Sequence, residues 1–325
     1  MAFLGLLAAI LFSIAVLRRP RAHRRRGVPG ALRAAAPYAG VLLATPGVIA
    51  LWYFHRPQPP PRREALFRGI TYERVVQSAP FPMVAHVARI DLREPSISFV
   101  VTPHEGGGRW LRAATTSQFL EAQGVQLAVN GDFFLPWWSD GPDDFYPRAG
   151  QPTDALGASV SDGVAAGWRV APYSALVFGL DGGVSIVEVR GGRQALPPAR
   201  HAVSGKHIVV DEGRKVAAVN AMAHGRVRHP RTAAALDQAG ATLILVVVDG
   251  RQPGHSEGAT LEELAEVILA HGGHRAVNLD GGGSSAMVAD GGEGVARVLS
   301  VPIHTRIPWR QRPVANHLGV RAQPL

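Results

Sequence analysis

The sequence has 325 residues, a formal net charge of +9 and no cysteine, which excludes disulfide bonds and thiolate metal sites. Its charge is unevenly distributed, because residues 1–63 contain ten of the 34 basic residues, all arginine, and none of the 25 acidic residues. Residues 64–325 therefore carry 24 basic and 25 acidic side chains, a net charge of −1. This balance does not favour a nucleic-acid partner, and we predict none.

Two apolar stretches, residues 3–17 and 34–54, flank a segment that contains seven arginines. The second stretch has the roughly 20 residues that a membrane-spanning helix needs, and the first is shorter. Because positively charged loops stay in the cytoplasm, the pattern predicts a two-span hairpin with both ends outside. A single anchor and a cleaved signal peptide are the alternative interpretations.

This pattern divides the chain into a membrane anchor at 1–55, a Pro- and Arg-rich linker at 56–65 and one domain at 66–325. The predicted location is the cytoplasmic membrane, with residues 64–325 on its extracytoplasmic side. The membrane itself is thus a predicted partner.

The domain is predicted to have an α+β fold, with a mixed, largely antiparallel multi-stranded sheet and few helices, preceded by the transmembrane helices. Many short strand-like runs are separated by turns that contain Gly or Asp. Two segments are typical of helices: residues 115–123, and the stretch after Thr260, where Thr260 and Glu263 have the spacing of a capping box and Gly272 follows the last apolar turn. So few helices argue against a regularly alternating parallel fold.

The segment at residues 135–152 is long, aromatic and rich in Pro and Gly. A connection of this length without a clear strand or helix pattern is usually functional. We therefore predict a functional loop or lid there.

Four strand-like runs end in polar residues and glycine, at residues 127–134, 229–236, 245–258 and 276–287. The polar residues include Asn130, Asp132, Arg231, Asp249 and Asp280. An ordinary turn explains each run taken singly. Since loops at strand ends are where sites are usually built, the five side chains together predict a convergent polar pocket.

Residues 254–258 match the G-x-S-x-G pattern of serine hydrolases. The nucleophile of that pattern sits on a tight turn between strand and helix. Ser256 instead follows the apolar strand after a longer loop, and the helix begins only after Thr260, so a serine hydrolase is the weaker alternative. The 13 histidines show no metal-binding spacing, and His255 is interpreted as a surface or pocket-rim residue. We predict no cofactor; no pattern indicates a divalent cation, although the sequence does not exclude one.

Several motifs together resemble the phosphodiester glycosidase domain family, which includes lysosomal N-acetylglucosamine-1-phosphodiester alpha-N-acetylglucosaminidase. They are VNGDFF at 129–134, RTAAAL at 231–236, RPVANHLGV at 312–320 and, most specifically, the block at 245–287. The similarity covers about residues 84–320. It identifies a bacterial, membrane-anchored member that lacks the disulfide-linked extensions of the animal enzyme and carries the aromatic segment at 135–152.

The resemblance implies hydrolysis of the glycosidic bond in sugar-1-phosphodiesters. The expected substrates are cell-envelope or exopolysaccharide glycans, or lipid-linked sugar phosphates, outside the cytoplasmic membrane. The alternative is a non-catalytic glycan-binding or envelope-assembly protein with the same fold.

The chemistry of this bond suits the polar residues at the strand ends. The leaving group is a phosphate monoester with a second pKa of about 6, so it needs little protonation. Asp280 and Asp249 are the predicted catalytic carboxylates, with nucleophile and base left unassigned, and Asp132 is an alternative partner for Asp280. Arg231 is predicted to grip the phosphate by a two-point contact, and the glycine run with its two serines to direct N–H and O–H groups at the same anion. The predicted substrate-binding residues are Arg231, Asn130, Asp132, Thr232, Asn278, Gly281, Gly282, Gly283, Ser284 and Ser285.

The seven arginines between the apolar stretches should resist translocation, so a reporter fused after Arg63 is expected to be active only if it functions outside the cytoplasm. The test compares a periplasmically active and a cytoplasmically active reporter at that position. Activity of the cytoplasmic reporter alone would contradict the predicted topology.

Overall fold

The structure, a computed structural model, describes residues 45, 47–49, 53, 56–104, 110–167, 172–190, 196–218 and 223–325. Nearly all of the predicted membrane hairpin lies outside these residues, so it stays a prediction. Within the described ranges no helix is long and apolar enough to cross a membrane. Residues Gln58–Leu325 form one compact unit, whose first strand begins at Arg62, inside the stretch predicted to be a linker.

The largest sheet, sheet 1, has eight strands, and every neighbouring pair is antiparallel. In spatial order its strands are β1 (Arg62–Phe67), β2 (Ile70–Gln77), β3 (Met83–Asp91), β19 (Thr242–Val248), β18 (Arg231–Leu236), β20 (Arg275–Asn278), β16 (His207–Asp211) and β17 (Arg214–Lys215).

Two further antiparallel sheets have five strands each. Sheet 2 contains β22 (Ala296–Val298), β21 (Met287–Asp290), β6 (Leu127–Asn130), β23 (His317–Arg321) and β4 (Ser98–Val101). Sheet 3 contains β12 (Val164–Gly167), β11 (Ala158–Ser161), β15 (Ala199–Gly205), β13 (Tyr173–Gly179) and β14 (Val184–Val189).

The segment predicted to be a functional loop forms short strands of its own. They belong to a three-stranded sheet of β5 (Leu111–Arg112), β10 (Pro152–Ala155) and β7 (Phe134–Leu135), and to a hairpin of β8 (Trp138–Ser139) and β9 (Phe145–Tyr146). Three short 3-10 turns complete the description, at Ala223–Gly225, Gly282–Ser284 and His304–Arg306.

Strand β19 shows why sheet 1 lies in the middle of the core. Its residues alternate between two faces, and both faces are apolar. Leu243, Leu245 and Val247 pack in a cluster with residues of sheets 2 and 3, whereas Ile244 and Val246 pack with helix α2 (Leu261–Ala270). Sheet 1 is therefore covered on both sides.

The two predicted helices are confirmed. Helix α2 begins with the Thr260–Glu263 capping box. Helix α1 (Thr116–Gln123) has its own capping box at Thr115 and ends at Gly124 in the left-handed conformation. Its buried residues pack on sheet 2.

The predicted antiparallel character and small helix content are also confirmed, but the strands form several sheets instead of one. Strands β10, β11, β12 and β15 escaped prediction because they are short and built from small or polar residues, which have weak strand preference. Ser159, Ser161 and Ser204 are buried in this region.

Candidate active site

The glycine-rich motif carries the chain from sheet 1 to sheet 2. Strand β20 ends at Asn278, a 3-10 turn covers Gly282–Ser284, and β21 begins at Met287. Asp280 lies at this crossing, half-buried. The motif therefore places one carboxylate where two sheets meet.

Asn130, at the end of β6, forms hydrogen bonds to the backbone at both ends of the motif, at Asp280 and at Ala286. Its Nδ2 donates to the Asp280 carbonyl (2.7 Å), and its Oδ1 accepts from Thr232 Oγ1 (2.8 Å) and from the Ala286 amide (3.2 Å). The side chains of Asn130 and Thr232 are thus occupied in holding Asp280 in place. Their predicted contact with substrate stays a prediction.

The glycines let two arginine side chains lie directly on the backbone of the turn. A Cβ atom on Gly282 would lie 2.9 Å from Arg251 Nη2, and one on Gly283 would lie 2.9 Å from Arg312 Nη2. Gly282 also has a φ of +64°, which favours glycine. A larger residue at either position would push a guanidinium away, so the glycines position the arginines.

Asp280 and these arginines form an electrostatic cluster. Burial raises the pKa of Asp280 above its usual value, while Arg312, the Ser284 hydroxyl and Arg251 act in the opposite direction. Burial lowers the pKa of Arg251, as does the charge of Arg306. An excess of partly desolvated cations around one carboxylate is typical of a site that binds an anion.

Arg312 is fixed by neutral partners. Its Nε donates to His304 Nδ1 (3.3 Å) and its Nη1 to Ser284 Oγ (3.2 Å). Burial and the nearby charges of Arg312 and Arg310 lower the pKa of His304 to about 3, so its imidazole is neutral and accepts at Nδ1. This arrangement orients the guanidinium without neutralising it.

Asp132 is a second carboxyl group close enough to sense Asp280. Burial raises its pKa to about 7, and the charge of Asp280 adds to the rise. Three donors oppose this rise: Ser204 Oγ (2.7 Å), the Gly157 amide (2.6 Å) and the Phe133 amide (2.7 Å). Asp132 therefore links sheets 2 and 3. Because its own pKa lies near neutrality, its change of charge can influence Asp280.

Asp249 lies in a separate buried network. Its Oδ2 accepts from Nε2 of His86 (3.1 Å) and of His255 (2.9 Å), and its Oδ1 accepts from the Val301 amide (2.7 Å). Burial by itself would raise the pKa of Asp249, but the two histidines hold it below the usual range. The other ring nitrogen of His86, Nδ1, shares a hydrogen bond with Tyr72 Oη (2.8 Å).

The structure does not bring Asp249 to Asp280: among the described contacts none joins the two carboxylates. Asp249 is only 2% exposed, so its carboxylate is not open to a substrate. It begins the loop that carries Arg251, and this loop is closed by the Gln252–Ser256 bridge. Its role as a catalytic carboxylate stays a prediction, and its contacts are those of a residue that positions Arg251.

Arg231 is buried beneath the turn. Its Nε donates to the Ala259 carbonyl (2.9 Å), and its Nη2 donates to the carbonyls of His224 (2.8 Å) and Val227 (2.8 Å). Two of its three guanidinium nitrogens, Nε and Nη2, therefore already donate to backbone oxygens. The predicted two-point contact of Arg231 with phosphate stays a prediction.

Most amides of the glycine run are also occupied. Gly281 N donates to Asp280 Oδ1 (2.8 Å), Gly282 N to the Pro230 carbonyl (2.8 Å), Ser284 N to the Gly281 carbonyl (3.2 Å) and Ser285 N to the Gly282 carbonyl (3.4 Å). The predicted cradle of N–H groups is thus largely closed by internal bonds. Within the described part of the chain, the buried Ser285 Oγ and Asn278 Oδ1 have no hydrogen-bond partner. Their predicted contact with substrate stays a prediction.

Ser256 does not resemble a hydrolase nucleophile. It is fully buried, and its Oγ donates to the Asp249 carbonyl (2.6 Å) and accepts from the Val84 amide (3.1 Å). His255 is buried in the Asp249 network instead of lying at a rim. The residues that the structure describes contain no group of three or more His, Asp or Glu side chains able to hold a metal ion.

The sequence analysis missed Arg251 and Arg312 as functional candidates. Both stand inside motifs that carry the family resemblance, Arg251 two residues after Asp249 and Arg312 at the start of the last motif. An arginine beside Gly or Pro in such a motif was the available signal. Nothing local indicated that residues so far apart in the chain meet at one carboxylate.

Comparisons with known proteins identify the family and the fold. A phosphodiester glycosidase family model matches residues 123–321, which is more than half of the chain. Its fold is similar to the zebrafish N-acetylglucosamine-1-phosphodiester alpha-N-acetylglucosaminidase catalytic domain, described as auto-inhibited by its pro-peptide (TM-score 0.56, 20% identity, 83% of this chain and 86% of that chain). No curated protein sequence matches.

Two other solved structures are similar at the level of the fold. One is a hypothetical protein from Synechocystis (TM-score 0.52, 18% identity, 82% of this chain and 64% of that chain). The other is a putative exported protein from Burkholderia pseudomallei (TM-score 0.50, 19% identity, 76% of each chain). The chain spans less than two thirds of the Synechocystis protein.

Substituting lysine for Arg312 and for Arg231 distinguishes an arginine that binds phosphate from one that stabilises the fold. We expect Arg312→Lys to weaken binding of inorganic phosphate about tenfold, because lysine loses the planar two-point contact. Arg231→Lys should leave this affinity within about twofold and lower the melting temperature by several degrees, because buried carbonyls lose their donors. Calorimetric titration and thermal unfolding measure the two effects. A larger loss of phosphate affinity in Arg231→Lys than in Arg312→Lys would reverse the assignment.

Proposed function

Since the chain belongs to the phosphodiester glycosidase family, we propose that it hydrolyses the glycosidic bond of sugar-1-phosphodiesters at Asp280. The observation that carries this proposal is the half-buried Asp280 carboxylate facing the guanidinium groups of Arg251 and Arg312. Such a pair of charges suits a substrate with an anionic group next to the reacting carbon.

Arg251 and Arg312 are the groups that bind the phosphate in this proposal. Their guanidinium groups lie on the glycine turn and are both partly desolvated, and the positive charge of Arg251 lowers the pKa of Arg312. A phosphodiester between them relieves this repulsion. The same contact stabilises the second negative charge that the phosphate acquires as the glycosidic bond breaks.

Asp280 acts on C1 of the sugar, either as the nucleophile or as the base that activates water. Burial raises its pKa, which makes the carboxylate more basic. The bond from C1 to the phosphate oxygen breaks, and its electron pair leaves with the phosphate monoester. Because the second pKa of this group is about 6, it departs with little protonation.

Asp132 influences this step through the charge of Asp280. Its pKa of about 7 lets it change protonation near neutral pH, and it lies within the electrostatic influence of Asp280. When Asp132 is protonated, the carboxylate of Asp280 keeps its charge more readily.

The proposed place of action is the outer face of the cytoplasmic membrane. Support comes from the arginine-rich segment between two apolar stretches and from the fold shared with a putative exported protein. The proposed substrates are cell-envelope or exopolysaccharide glycans, or lipid-linked sugar phosphates. The zebrafish protein of similar fold is named for N-acetylglucosamine-1-phosphodiester, a compound that contains a bond of this class.

Two aspartate variants test the assignment. Asp280→Asn is nearly isosteric, so we expect an unchanged melting temperature and a loss of turnover of at least a hundredfold, because an amide neither attacks nor deprotonates water. Asp249→Asn should mainly lower the melting temperature, by about 10 °C, because it breaks a buried network of charge-assisted bonds. Turnover is measured as free reducing sugar released from a panel of sugar-1-phosphodiesters, with thermal unfolding in parallel.

The outcome also decides between the enzyme and a glycan-binding protein. Full turnover in Asp280→Asn would contradict the proposed mechanism. If the unaltered protein binds these diesters but releases no sugar from any of them, the non-catalytic glycan-binding alternative is favoured.

A further inference from the structure

Large apolar side chains are exposed together on one part of the protein. Every tryptophan that the structure describes is between 42% and 54% exposed, and an isoleucine and a leucine next to them in the sequence are 38% exposed. These six residues, which we call the tryptophan surface, are Trp110, Leu135, Trp137, Trp138, Ile307 and Trp309. A group of exposed apolar side chains of this size marks a binding surface.

The segments that carry the tryptophan surface are joined by direct contacts. Arg310 lies over the ring of Phe145 (4.5 Å to the centroid) and donates to the Pro142 carbonyl (2.6 Å), which joins the β8–β9 hairpin to the segment of Trp309. Strand β7, which contains Leu135, pairs with β10, and β10 pairs with β5, which follows Trp110. The six side chains are therefore held by one scaffold.

The chain enters the compact unit through a loop that is bonded to this scaffold. Gln58 Nε2 donates to the His255 carbonyl (2.9 Å), in the loop closed by the Gln252–Ser256 bridge. From the same loop, Gln252 Nε2 donates to the Val301 carbonyl (2.8 Å). Val301 begins the segment that carries Ile307 and Trp309, so a short series of contacts connects the entry point of the chain to the tryptophan surface.

The predicted membrane anchor ends at residue 55, three Cα–Cα steps or about 11 Å of chain before Gln58. The entry point must therefore stay close to the bilayer if this anchor is inserted. We propose that the tryptophan surface lies on the bilayer, with its indoles in the layer of lipid headgroups. This inference goes beyond the proposed function and does not depend on it.

The composition of the surface suits a bilayer better than a protein partner. Tryptophan is enriched at the boundary between lipid and water, where its apolar ring is buried and its N–H group keeps a polar partner. The indole N–H of Trp138 has such a partner, because it donates to Asp144 Oδ1 (3.0 Å). Exposed charges of both signs lie among the indoles, on Asp140, Asp143, Asp144, Arg148 and Arg306. A hydrated headgroup layer accommodates both signs, whereas the core of a protein interface is depleted of charge.

Docking through this surface would bring the candidate active site to the level of the headgroups. The guanidinium carbon of Arg312 lies over the ring of Trp137, 5.1 Å from its centroid. If the proposed function holds, the phosphate of a lipid-linked sugar phosphate would meet Arg312 without leaving the membrane surface.

The test uses the full chain, which has no cysteine, so that a single introduced cysteine carries the only nitroxide spin label. The labelled variants are Leu135→Cys, Ile307→Cys and, as the control, Leu180→Cys, which replaces a 71% exposed side chain after β13. The protein is reconstituted into vesicles of phosphatidylethanolamine and phosphatidylglycerol. Collisions of the label with oxygen, which concentrates in lipid, are compared with collisions with a water-soluble nickel complex.

We expect the ratio of oxygen to nickel collisions to be about fivefold higher at positions 135 and 307 than at position 180, because lipid surrounds the first two. The further changes Trp138→Ser and Trp309→Ser should lower the ratio at position 307 to that of the control. Thermal unfolding verifies that these variants remain folded.

The other outcomes overturn the proposal. Equal ratios at the three positions, or a chain that does not associate with the vesicles, would mean that the tryptophan surface faces water. Labels that neither reagent reaches, in vesicles and in detergent alike, would indicate a second copy of the chain or another protein on this surface. A high ratio at position 307 that survives both serine changes would remove the role of the tryptophans. Because no turnover is measured, a protein that docks in this way but releases no sugar would contradict the proposed function alone.

Discussion

The interaction on which the rest of the site depends is the electrostatic influence of two guanidinium groups, which lie on glycine backbone, on the Asp280 carboxylate. Arg251 and Arg312 reach this backbone because Gly282 and Gly283 have no Cβ atom in the way. Neither arginine is strongly paired, and both are partly desolvated. The cost of holding these like charges together is offset when an anion binds, which ties affinity for the substrate to the fold itself.

The surrounding structure serves to hold these three side chains still. Asn130 fixes the backbone of Asp280 between sheets 1 and 2. The buried Asp249 network fixes the loop of Arg251, and neutral His304 fixes Arg312. These supports come from strands that are distant in the sequence, so the site forms only when the sheets have packed. Polar residues of this kind are buried and hydrogen-bonded because an unmet polar group in the core is costly.

Much of the fold followed from local patterns, whereas the roles in the site did not. The capping box at Thr260 and the apolar run of β19 are short-range signals, and both predicted the observed elements. The motif around Asp280 was also identified. The three carbonyls that accept from Arg231, whose contact with phosphate stays a prediction, were not foreseen. Arg312 and Arg251 meet at Asp280 only through the order of strands within the sheets. That order is set by long-range pairing, which one sequence does not display.

The most direct measurement is a crystal structure of the protein with a sugar 1-phosphate, the part of the proposed substrate that contains the bond to be broken. The account predicts phosphate oxygens about 2.7–3.2 Å from the guanidinium nitrogens of Arg251 and Arg312, with C1 of the sugar turned toward the Asp280 carboxylate. A phosphate bound at Arg231, or at the histidines around Asp249, with Arg251 and Arg312 left uncontacted would contradict it.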